Sequence, residues 1–276
     1  MKNWFVTGAA SGLGRALCEE LLEHGHTVFG TVRDADAESD LVNRYGERFR
    51  WARLDLSETA AIAPVVDAAF AALGRIDVVV NNAGYGLFGA AEGLSEESID
   101  HQLATNLRGP IAVARAALPH LRKQGAGRIL AISSYGGQAT HPGASLYHAS
   151  KWGLEGFFDS LAQEIAPFGL GVTIVEPGAA RTGFRNAASE NLGLDLEAYR
   201  ETPVGHLKAV LTDPARTPGG DPRKMAAAIV ASTAQDPAPL RLILGSDAAA
   251  ILERTLAARL EDVRSQSATA GATDAA

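Results

Sequence analysis

Short apolar segments typical of β-strands alternate with amphipathic segments typical of helices along nearly the whole chain. The segments 76–80 (Ile-Asp-Val-Val-Val) and 171–175 (Gly-Val-Thr-Ile-Val) are apolar almost throughout, which indicates strands buried on both faces. The segments 12–24 and 58–73 have the pattern of helices. This alternation predicts an α/β fold with a doubly wound parallel sheet, whose ligands bind beyond the carboxyl ends of the strands.

The alternation is interrupted between about residues 182 and 220, where Pro and Gly are frequent and only short amphipathic pieces remain. Inserted segments of this kind often close over a substrate. The last residues, 265–276, are rich in Ala, Thr, Ser and Gly, and we expect them to be disordered. The sequence therefore predicts a single domain over residues 1–264, with a substrate lid at about 182–220 and a disordered tail.

The composition argues against several classes of function. The chain has 276 residues, 46% of them apolar, which suffices for one large core, and its net charge of −7 argues against nucleic-acid binding. The single cysteine cannot form an internal disulfide, no signal-peptide pattern is present, and no apolar run reaches the roughly 18 residues of a membrane-spanning helix. We expect a cytoplasmic protein that binds neither nucleic acid nor membrane. Because the histidines lack metal-ligand spacing, we expect no metal.

Tyr147 and Lys151 are four positions apart in a segment whose apolar spacing predicts a helix to about residue 168. On a helix this spacing places both side chains on one face. A cation about 4 Å from a phenolate, at an effective dielectric of about 20, stabilises it by at most about 4 kcal/mol, which would lower the tyrosine pKa by up to about 3 units. A tyrosine tuned in this way exchanges a proton with an alcohol or ketone oxygen near neutral pH.

A glycine-rich loop joins the first strand to the first helix, with Gly8, Gly12 and Gly14 in the spacing Gly-x-x-x-Gly-x-Gly. Glycines at such a turn let the backbone approach a pyrophosphate, and the free N–H groups of the following helix favour an anion. Ser11 and Leu13 complete the loop. Taken alone, the loop is consistent with a phosphate-binding turn or with an ordinary glycine-rich turn.

The tyrosine–lysine pair and the glycine loop belong to an ordered set of motifs: Thr-Gly-x-x-x-Gly-x-Gly at 7–14, Asn-Asn-Ala-Gly at 81–84, Asn106, Ser134, Tyr147-x-x-x-Lys151, and Pro177-Gly178 followed by Thr182. With this set the sequence resembles the short-chain dehydrogenases/reductases over nearly its whole length, and most of all their steroid and retinoid dehydrogenase-like subset. The resemblance implies a Rossmann fold, a nicotinamide cofactor and an oxidoreductase that interconverts ketones and secondary alcohols.

The same resemblance assigns catalytic roles to four residues. Tyr147 would be the general acid/base, Lys151 would lower its pKa and bind the nicotinamide ribose, and Ser134 would hydrogen-bond the reacting oxygen. Asn106 would kink its helix and hold a water that links Lys151 to solvent. The alternative function is a sensor or regulatory protein that binds NAD(P) on the same fold, since a fold does not fix a function. Such a sensor would be expected to lack these residues.

The cofactor contacts implied by the resemblance are spread over the carboxyl end of the sheet. They are Gly8, Ser11, Gly12, Leu13 and Gly14 in the loop, Asp55 and Leu56 at the adenine, Asn82, Ala83 and Gly84 at the adenosine ribose, and Tyr147, Lys151, Pro177, Gly178 and Thr182 at the nicotinamide.

The end of the second predicted strand favours NADP(H) over NAD(H). An acid at this place binds the ribose 2′-hydroxyl and repels a 2′-phosphate, but the position of that acid in the family is Val32 here. The next residue, Arg33, could bind the phosphate through paired charge-assisted hydrogen bonds, with Ser11 adding a hydroxyl contact. Asp34 is the counter-argument, because it could reach the ribose hydroxyl or form a surface pair with Arg33.

The motifs do not identify the substrate or the physiological direction of the reaction. The residues expected to border the substrate carry few charges, which favours a hydrophobic carbonyl compound; they are Ser134, Tyr135, Gln138, His141 and Phe184. Two other polar residues stay open: Glu176 could be a buried strand-end carboxylate or a site residue, and His148, on another helical face from Tyr147, could be structural or touch substrate.

The resemblance also implies a homo-oligomer, with a dimer favoured, built on the predicted helices at 96–122 and 148–168. In the second of these, Trp152, Phe157 and Phe158 spread apolar surface around more than one helical face. That is more apolar surface than packing against one sheet requires.

Overall fold

The computed structural model describes residues 1–34, 39–213 and 215–275, and in that part of the chain a sheet of seven strands runs in the order β3-β2-β1-β4-β5-β6-β7. All neighbouring strands pair in parallel. The strands are β1 (Asn3–Thr7), β2 (Thr27–Val32), β3 (Phe49–Arg53), β4 (Val78–Asn81), β5 (Gly127–Ile132), β6 (Leu170–Pro177) and β7 (Arg241–Leu244). The predicted doubly wound parallel sheet is confirmed.

Helices connect the strands and cover both faces of the sheet, as a parallel sheet requires. In chain order they are α1 (Gly12–Glu23), α2 (Ser39–Tyr45), α3 (Thr59–Leu73), α4 (Glu96–Leu103), α5 (Gly109–Gln124), α6 (Ser145–Ile165), α7 (Phe184–Glu190), α8 (Pro203–Thr212), α9 (Pro222–Ser232), α10 (Ser246–Ser265) and α11 (Ser267–Gly271). No described helix is long and apolar enough to cross a membrane.

The two faces of the sheet have separate cores, which β1 shows directly. Phe5 packs into the cluster on the side of α3, α5 and α6, whereas Trp4 and Val6 pack into the cluster on the side of α1 and α9. Successive side chains of a strand point to opposite faces, so a strand between two helical layers must be apolar at every position. This is the physical reason for the continuous apolar runs in the sequence.

The order of the strands places two chain segments at one crevice. The sheet continues from β1 to β2 on one side and from β1 to β4 on the other, so the loops after β1 and β4 leave the sheet side by side. Ligands of doubly wound sheets bind at this kind of switch point. The glycine loop follows β1, and the Asn-Asn-Ala-Gly motif spans the end of β4.

The segment predicted as a lid contains α7 and α8. The Arg185 guanidinium on α7 donates hydrogen bonds to the carbonyls of Leu211, at 3.2 Å, and Asp213, at 2.7 Å, at the end of α8. It also donates to the carbonyls of Val210 and Arg216. One arginine thus satisfies carbonyls that the last turn of a helix leaves without partners. The segment predicted as a disordered tail contains the short exposed helix α11.

Candidate active site

The glycine loop turns tightly against the end of β4. Gly8 and Gly12 have φ of 69° and 57°, a left-handed conformation that favours glycine. A Cβ on Gly14 would lie 2.2 Å from the Gly8 carbonyl oxygen and 2.3 Å from Asn82 Nδ2. Asn82 Nδ2 donates to the carbonyls of Thr7 at 2.8 Å and Gly8 at 3.1 Å. The backbone therefore occupies the space that a side chain would need.

Thr7 holds the loop and the β4 motif together. Its hydroxyl donates to the Val80 carbonyl at 3.3 Å and accepts from the N–H groups of Asn82 at 2.9 Å and Ala83 at 3.1 Å. Thr7 belongs to the motif but was not predicted as a site residue, because its partners lie more than 70 positions away in the sequence.

The N-terminus of α1 is open to an anion. Ser11 is the N-cap residue and is exposed, and among the described residues its side chain makes no capping hydrogen bond. The first N–H groups of a helix lack intrahelical acceptors and lie at the positive end of the helix dipole. Leu13 is half-buried and packs against the core on the α1 side of the sheet. The loop thus presents backbone donors outward and an apolar side chain inward.

Tyr147 and Lys151 lie in the first two turns of α6, both buried. The Tyr147 ring packs between the rings of Phe88 and Phe184, whose centroids are 5.5 Å and 5.9 Å away. The Lys151 ammonium lies 5.9 Å from the centroid of the Tyr147 ring and donates to the Ile132 carbonyl at 2.8 Å, at the end of β5. The predicted shared helical face is present, but the ammonium points toward β5.

The pKa of Tyr147 differs from the expected value. Burial raises it to about 12, and a hydrogen bond with Ser134 acts in the opposite direction without reversing the shift. Burial also lowers the pKa of Lys151 to about 8, although the Glu155 charge opposes this. The lowering that we expected from Lys151 is not found, because removing the phenol from water disfavours its anion more than the surrounding groups favour it.

Asn106 interrupts the predicted helix at 96–122. The segment Ala104–Arg108 between α4 and α5 is a π-helical turn, and Asn106 is buried inside it. Asn106 Nδ2 donates to the Tyr85 carbonyl at 2.7 Å and to Ser150 Oγ at 3.2 Å, and Oδ1 accepts from the Tyr85 N–H at 3.0 Å. π-Helical turns occur frequently at functional sites.

Gly84 brings Asn106 and Lys151 into the same place. A Cβ on Gly84 would lie 3.1 Å from Asn106 Oδ1 and 3.7 Å from Lys151 Nζ. Motif residues from the end of β4, the π-helical turn and α6 thus meet around Gly84, where an added Cβ would be in tight contact with Asn106 Oδ1.

The loop after β5 carries Ser134 and is held by His148. Ser134 Oγ accepts from the Gly136 N–H at 3.1 Å. His148 Nδ1 lies 2.9 Å from the Gly136 carbonyl, and Nε2 accepts from the His141 N–H at 3.2 Å. A neutral imidazole with its proton on Nδ1 satisfies both contacts, and burial lowers the pKa of His148 to about 4. His148 therefore orients the loop from within the protein.

The residues expected at the substrate lie around this loop. Tyr135 and His141 have ring centroids 6.4 Å apart, and Phe184 is 39% exposed beside Tyr147. Gln138 uses its amide to donate to Glu176 Oε1 at 2.7 Å, which directs that group toward the end of β6. Glu176 is itself fully buried.

The segment after β6 approaches the glycine loop. A Cβ on Gly178 would lie 2.1 Å from Asp247 Oδ1, and Asp247 Oδ2 accepts from the Ala179 N–H at 2.9 Å, so Asp247 fixes the turn after Pro177. A Cβ on Gly12 would lie 3.7 Å from the Thr182 Cβ. Thr182 is thus next to the N-terminus of α1.

On the other side of the crevice, Arg33 is exposed at the end of β2, with Nε 3.8 Å from Asp34 Oδ2. The predicted surface pair is therefore present as a loose contact. Asp55 Oδ1 accepts from the Ser57 N–H at 2.8 Å and the Ser57 hydroxyl at 2.7 Å. Although burial acts in the opposite direction, these hydrogen bonds bring the pKa of Asp55 below its usual value. Leu56 is buried in the core on the side of α3, α5 and α6.

A cavity of about 270 Å³ lies between the lid segment and residues 88–90, and its mostly apolar lining also contains Asp195, Arg200 and Lys208. Phe88 lines this cavity and also contacts the Tyr147 ring, and Leu207 and Leu211 border both the cavity and the small apolar cluster around Tyr147. Its walls include Phe88, Leu192, Leu194, Leu196, Leu207 and Leu211. Among the residues that the structure describes, no group of three or more His, Cys, Asp and Glu side chains is placed to hold a metal ion.

Comparison with known proteins supports the family that the sequence motifs resemble. The family model described as short chain dehydrogenase matches residues 2–193. The chain is 35% identical, over 87% of its length and 86% of the relative, to a 3-ketodihydrosphingosine reductase of Bacteroides thetaiotaomicron. A short-chain dehydrogenase from Streptomyces avermitilis superposes with a TM-score of 0.90 at 38% identity, covering 99% of this chain and 100% of that one.

A metagenomic short-chain oxidoreductase in complex with NADP gives a TM-score of 0.70 at 28% identity and covers 88% of this chain and 96% of that one. The family model spans more than half of the 276 residues, and the reductase relative covers most of the chain. These matches agree with the ordered motifs and with the strand order of the sheet. The chain therefore belongs to the short-chain dehydrogenase/reductase family of oxidoreductases.

Proposed function

We propose that this protein is an NADP(H)-dependent oxidoreductase that transfers a hydride between the nicotinamide and a hydrophobic ketone or secondary alcohol. The observation that supports this function best is that the hydroxyl groups of Tyr147 and Ser134 lie next to each other beside Lys151, at the carboxyl end of β5. Two hydroxyls at one point suit a carbonyl oxygen, on which negative charge develops during reduction.

The residues at the crevice fit a dinucleotide. The glycine loop would bind the pyrophosphate. Its backbone is packed too tightly to admit a side chain at Gly14, and in the described structure no side chain caps the N-terminus of α1. Pro177, Gly178 and Thr182 would border the nicotinamide, Gly84 the adenosine ribose, and Asp55 the adenine. The cofactor, when bound, supplies or accepts the hydride.

Tyr147 would give a proton to the ketone oxygen in reduction and take it back in oxidation. A buried phenol with a pKa of about 12 is protonated at neutral pH, which is the form that donation to a ketone requires. Ser134 would hold the same oxygen through its hydroxyl. Lys151, fixed by the Ile132 carbonyl, would keep a positive charge near the developing charge on oxygen.

The preference for NADP(H) rests on Arg33. Its guanidinium is exposed at the end of β2, where the structure describes a loose contact with Asp34, and its planar fork suits a 2′-phosphate. The NADP complex of the metagenomic relative is consistent with this choice. We expect Arg33→Ala to raise the KM for NADPH by roughly 10- to 100-fold, because loss of hydrogen bonds between charged groups weakens binding by about this factor. The KM for NADH should change little.

Asp34→Ala is the matched control for this experiment. It removes the neighbouring acid and should leave the NADPH preference intact. A wild-type preference for NADH, or an equal loss with both cofactors in Arg33→Ala, would overturn the NADP assignment.

The hydrophobic nature of the substrate is supported by the mostly apolar walls of the cavity at Phe88 and by the relative named 3-ketodihydrosphingosine reductase. Apolar walls favour a ligand of matching character. We therefore expect higher kcat/KM for long-chain aliphatic ketones than for short hydroxyketones or keto sugars.

The test of the function is consumption of NADPH on addition of a ketone panel, with wild type and Tyr147→Phe side by side. Phenylalanine keeps the ring contacts with Phe88 and Phe184 but cannot donate a proton, so turnover should fall by at least roughly 100-fold while NADPH still binds. Tyr147→Phe with a tenth of wild-type turnover would contradict the mechanism. Tight NADPH binding without turnover of any ketone would favour a sensor.

A further inference from the structure

A cluster of buried charged groups lies directly behind the Ser134 loop, and the mechanism proposed above does not use it. Glu155 on α6 is 4% exposed and Glu176 near the end of β6 is 0% exposed. Glu155 is one helical turn beyond Lys151, and Glu176 immediately precedes Pro177. Carboxylates are almost never this buried unless they are paired or hydrogen-bonded, so their partners need an explanation.

Each carboxyl group accepts a hydrogen bond from one end of the loop that carries Ser134. The Ser133 hydroxyl, next to Ser134, donates to Glu155 Oε1 at 2.7 Å. The Gln138 amide, at the end of the same loop, donates to Glu176 Oε1 at 2.7 Å. Between these ends, Gly137 lies against Glu155, since a Cβ there would be 2.1 Å from Glu155 Oε1.

One guanidinium serves both acids. Arg241 Nε on β7 lies 3.1 Å from Glu176 Oε1 and 3.5 Å from Glu155 Oε2, and its Nη2 donates to Asp159 at 2.8 Å. The charged groups packed against the two acids are therefore Arg241 from β7 and, from α6, Asp159 and Lys151. Arg241 shares its single charge among three carboxyl groups, of which Asp159 is partly exposed.

The two buried acids lie close together, because both have an oxygen within 3.5 Å of Arg241 Nε. Among the described residues, neither Glu155 Oε2 nor Glu176 Oε2 has another hydrogen-bond partner. A single proton between the two carboxyl groups would satisfy both oxygens and remove one buried negative charge. Burial, followed by the Glu155 charge, raises the pKa of Glu176 to about 7, and burial raises the pKa of Glu155 as well. The shared proton thus belongs to the pair of carboxyl groups.

We propose that Glu155 and Glu176 form a proton-sharing carboxyl pair that positions the Ser134 loop for the reaction. The inference rests on the proposed function for its catalytic consequence, because the loop matters only if Ser134 binds the reacting oxygen. The two acids are positioning residues: they act through Ser133 and Gln138 on the placement of Ser134. Loss of the shared proton leaves two facing anions and loosens the loop, so turnover should decline as pH rises through about 7.

The experiment compares Glu176→Gln and Glu176→Leu with wild type. A glutamine keeps an acceptor for Gln138 and donates permanently to Glu155, so it imitates the protonated acid. We expect Glu176→Gln to retain most of kcat at pH 6 and to lose the decline of kcat near pH 7. Glu176→Leu should lower kcat roughly tenfold, since small misplacements of a catalytic group have effects of this order or larger, with the KM for NADPH nearly unchanged. Glu164→Gln, an exposed position on α6, is the matched control.

A second measurement does not depend on turnover. The infrared absorption of a protonated carboxylic acid should appear in wild type at pH 6, disappear as pH rises through about 7, and be absent from Glu176→Gln. An unchanged spectrum in Glu176→Gln, or a wild-type pH profile of kcat in that variant, overturns the carboxyl pair. If wild type turns over no ketone but the infrared band behaves as described, the proposed function fails and the proton-sharing pair stands.

Discussion

Replacing the buried Lys151 should separate catalysis from stability. The side chain is 5% exposed, and burial brings its pKa from the ordinary 10.5 to about 8. At about 1.36 kcal/mol per pKa unit, the ionised lysine opposes folding by about 3 kcal/mol. In Lys151→Met this penalty is removed, while the Ile132 carbonyl loses its donor, at a cost of about 1–3 kcal/mol. The variant should therefore be as stable as wild type or up to about 2 kcal/mol more stable, the difference of the two terms.

The destabilising effect of the buried Lys151 charge should depend on pH. The folded protein releases the Lys151 proton near pH 8, and the unfolded chain holds it to about 10.5. Between these two pH values the unfolded state of wild type binds more protons than the folded state, so the free energy of unfolding of wild type increases with pH. Lys151→Met lacks the titrating group and does not show this increase. The difference between the two proteins should therefore shrink from pH 8 to pH 10.

The assay is urea unfolding of wild type and Lys151→Met at pH 7, 8, 9 and 10, with NADPH-dependent ketone reduction measured on the same samples. Turnover of the variant should fall by at least roughly 100-fold at pH 7, the usual contribution of acid–base machinery. Lys224→Met, an exposed lysine on α9, controls for loss of a positive charge and should change stability by less than about 0.5 kcal/mol. A variant less stable than wild type by more than about 1 kcal/mol at pH 7, or a difference that does not vary with pH, would refute the reasoning.

Two further predictions concern the glycine loop and assembly. Gly14→Ala places a Cβ 2.2 Å from the Gly8 carbonyl oxygen, so it should lower the free energy of unfolding by about 1–3 kcal/mol and remove most of the NADPH affinity. Gly156→Ala is the control: the position is helical and exposed, no atom lies within 4 Å of the new Cβ, and the variant should be more stable by about 0.5–1 kcal/mol. Thermal unfolding and NADPH titration of both variants test this prediction, and equal effects of the two substitutions would contradict it. We also expect light scattering to give the mass of a dimer that is formed through α4, α5 and α6; a monomeric mass would contradict this. Trp152 should lie outside the centre of the dimer interface, because the Arg259 guanidinium of α10 covers the Trp152 ring at 4.3 Å.

The sequence by itself determined the order of the elements and the end of the sheet at which function lies. Continuous apolar runs alternate with helical patterns, and only a parallel sheet covered on both faces buries such runs. Once the strands are parallel, the loop at 7–14, the motif at 81–84, and Ser134 must lie at one edge, whatever the details of packing. The four-residue spacing likewise placed Tyr147 and Lys151 on one helical face. The doubly wound fold, the family and most strand boundaries followed from these local patterns.

Other features depended on residues that only the folded chain brings together. The resemblance implied a kink at Asn106, but the contacts that accompany the π-helical turn there, between the Asn106 amide and the backbone of Tyr85, appear only in the folded chain. The direction of the Lys151 ammonium is set by the Ile132 carbonyl, which the helical spacing alone does not place. Helix α2 is a similar case: seven residues without a strong apolar pattern were not predicted, and Leu41 is buried in it.

Protonation of the site was decided by tertiary structure alone. The sequence supplied the neighbouring charge of Lys151 and so predicted a lowered tyrosine pKa, but desolvation depends on every atom that displaces water around the phenol, and here it raises the pKa to about 12. Likewise, Glu155 and Glu176 belong to a helix and a strand whose sequence patterns give no sign of a contact. They meet because α6 packs on β6, and their shared environment, with one guanidinium for two buried acids, exists only after folding.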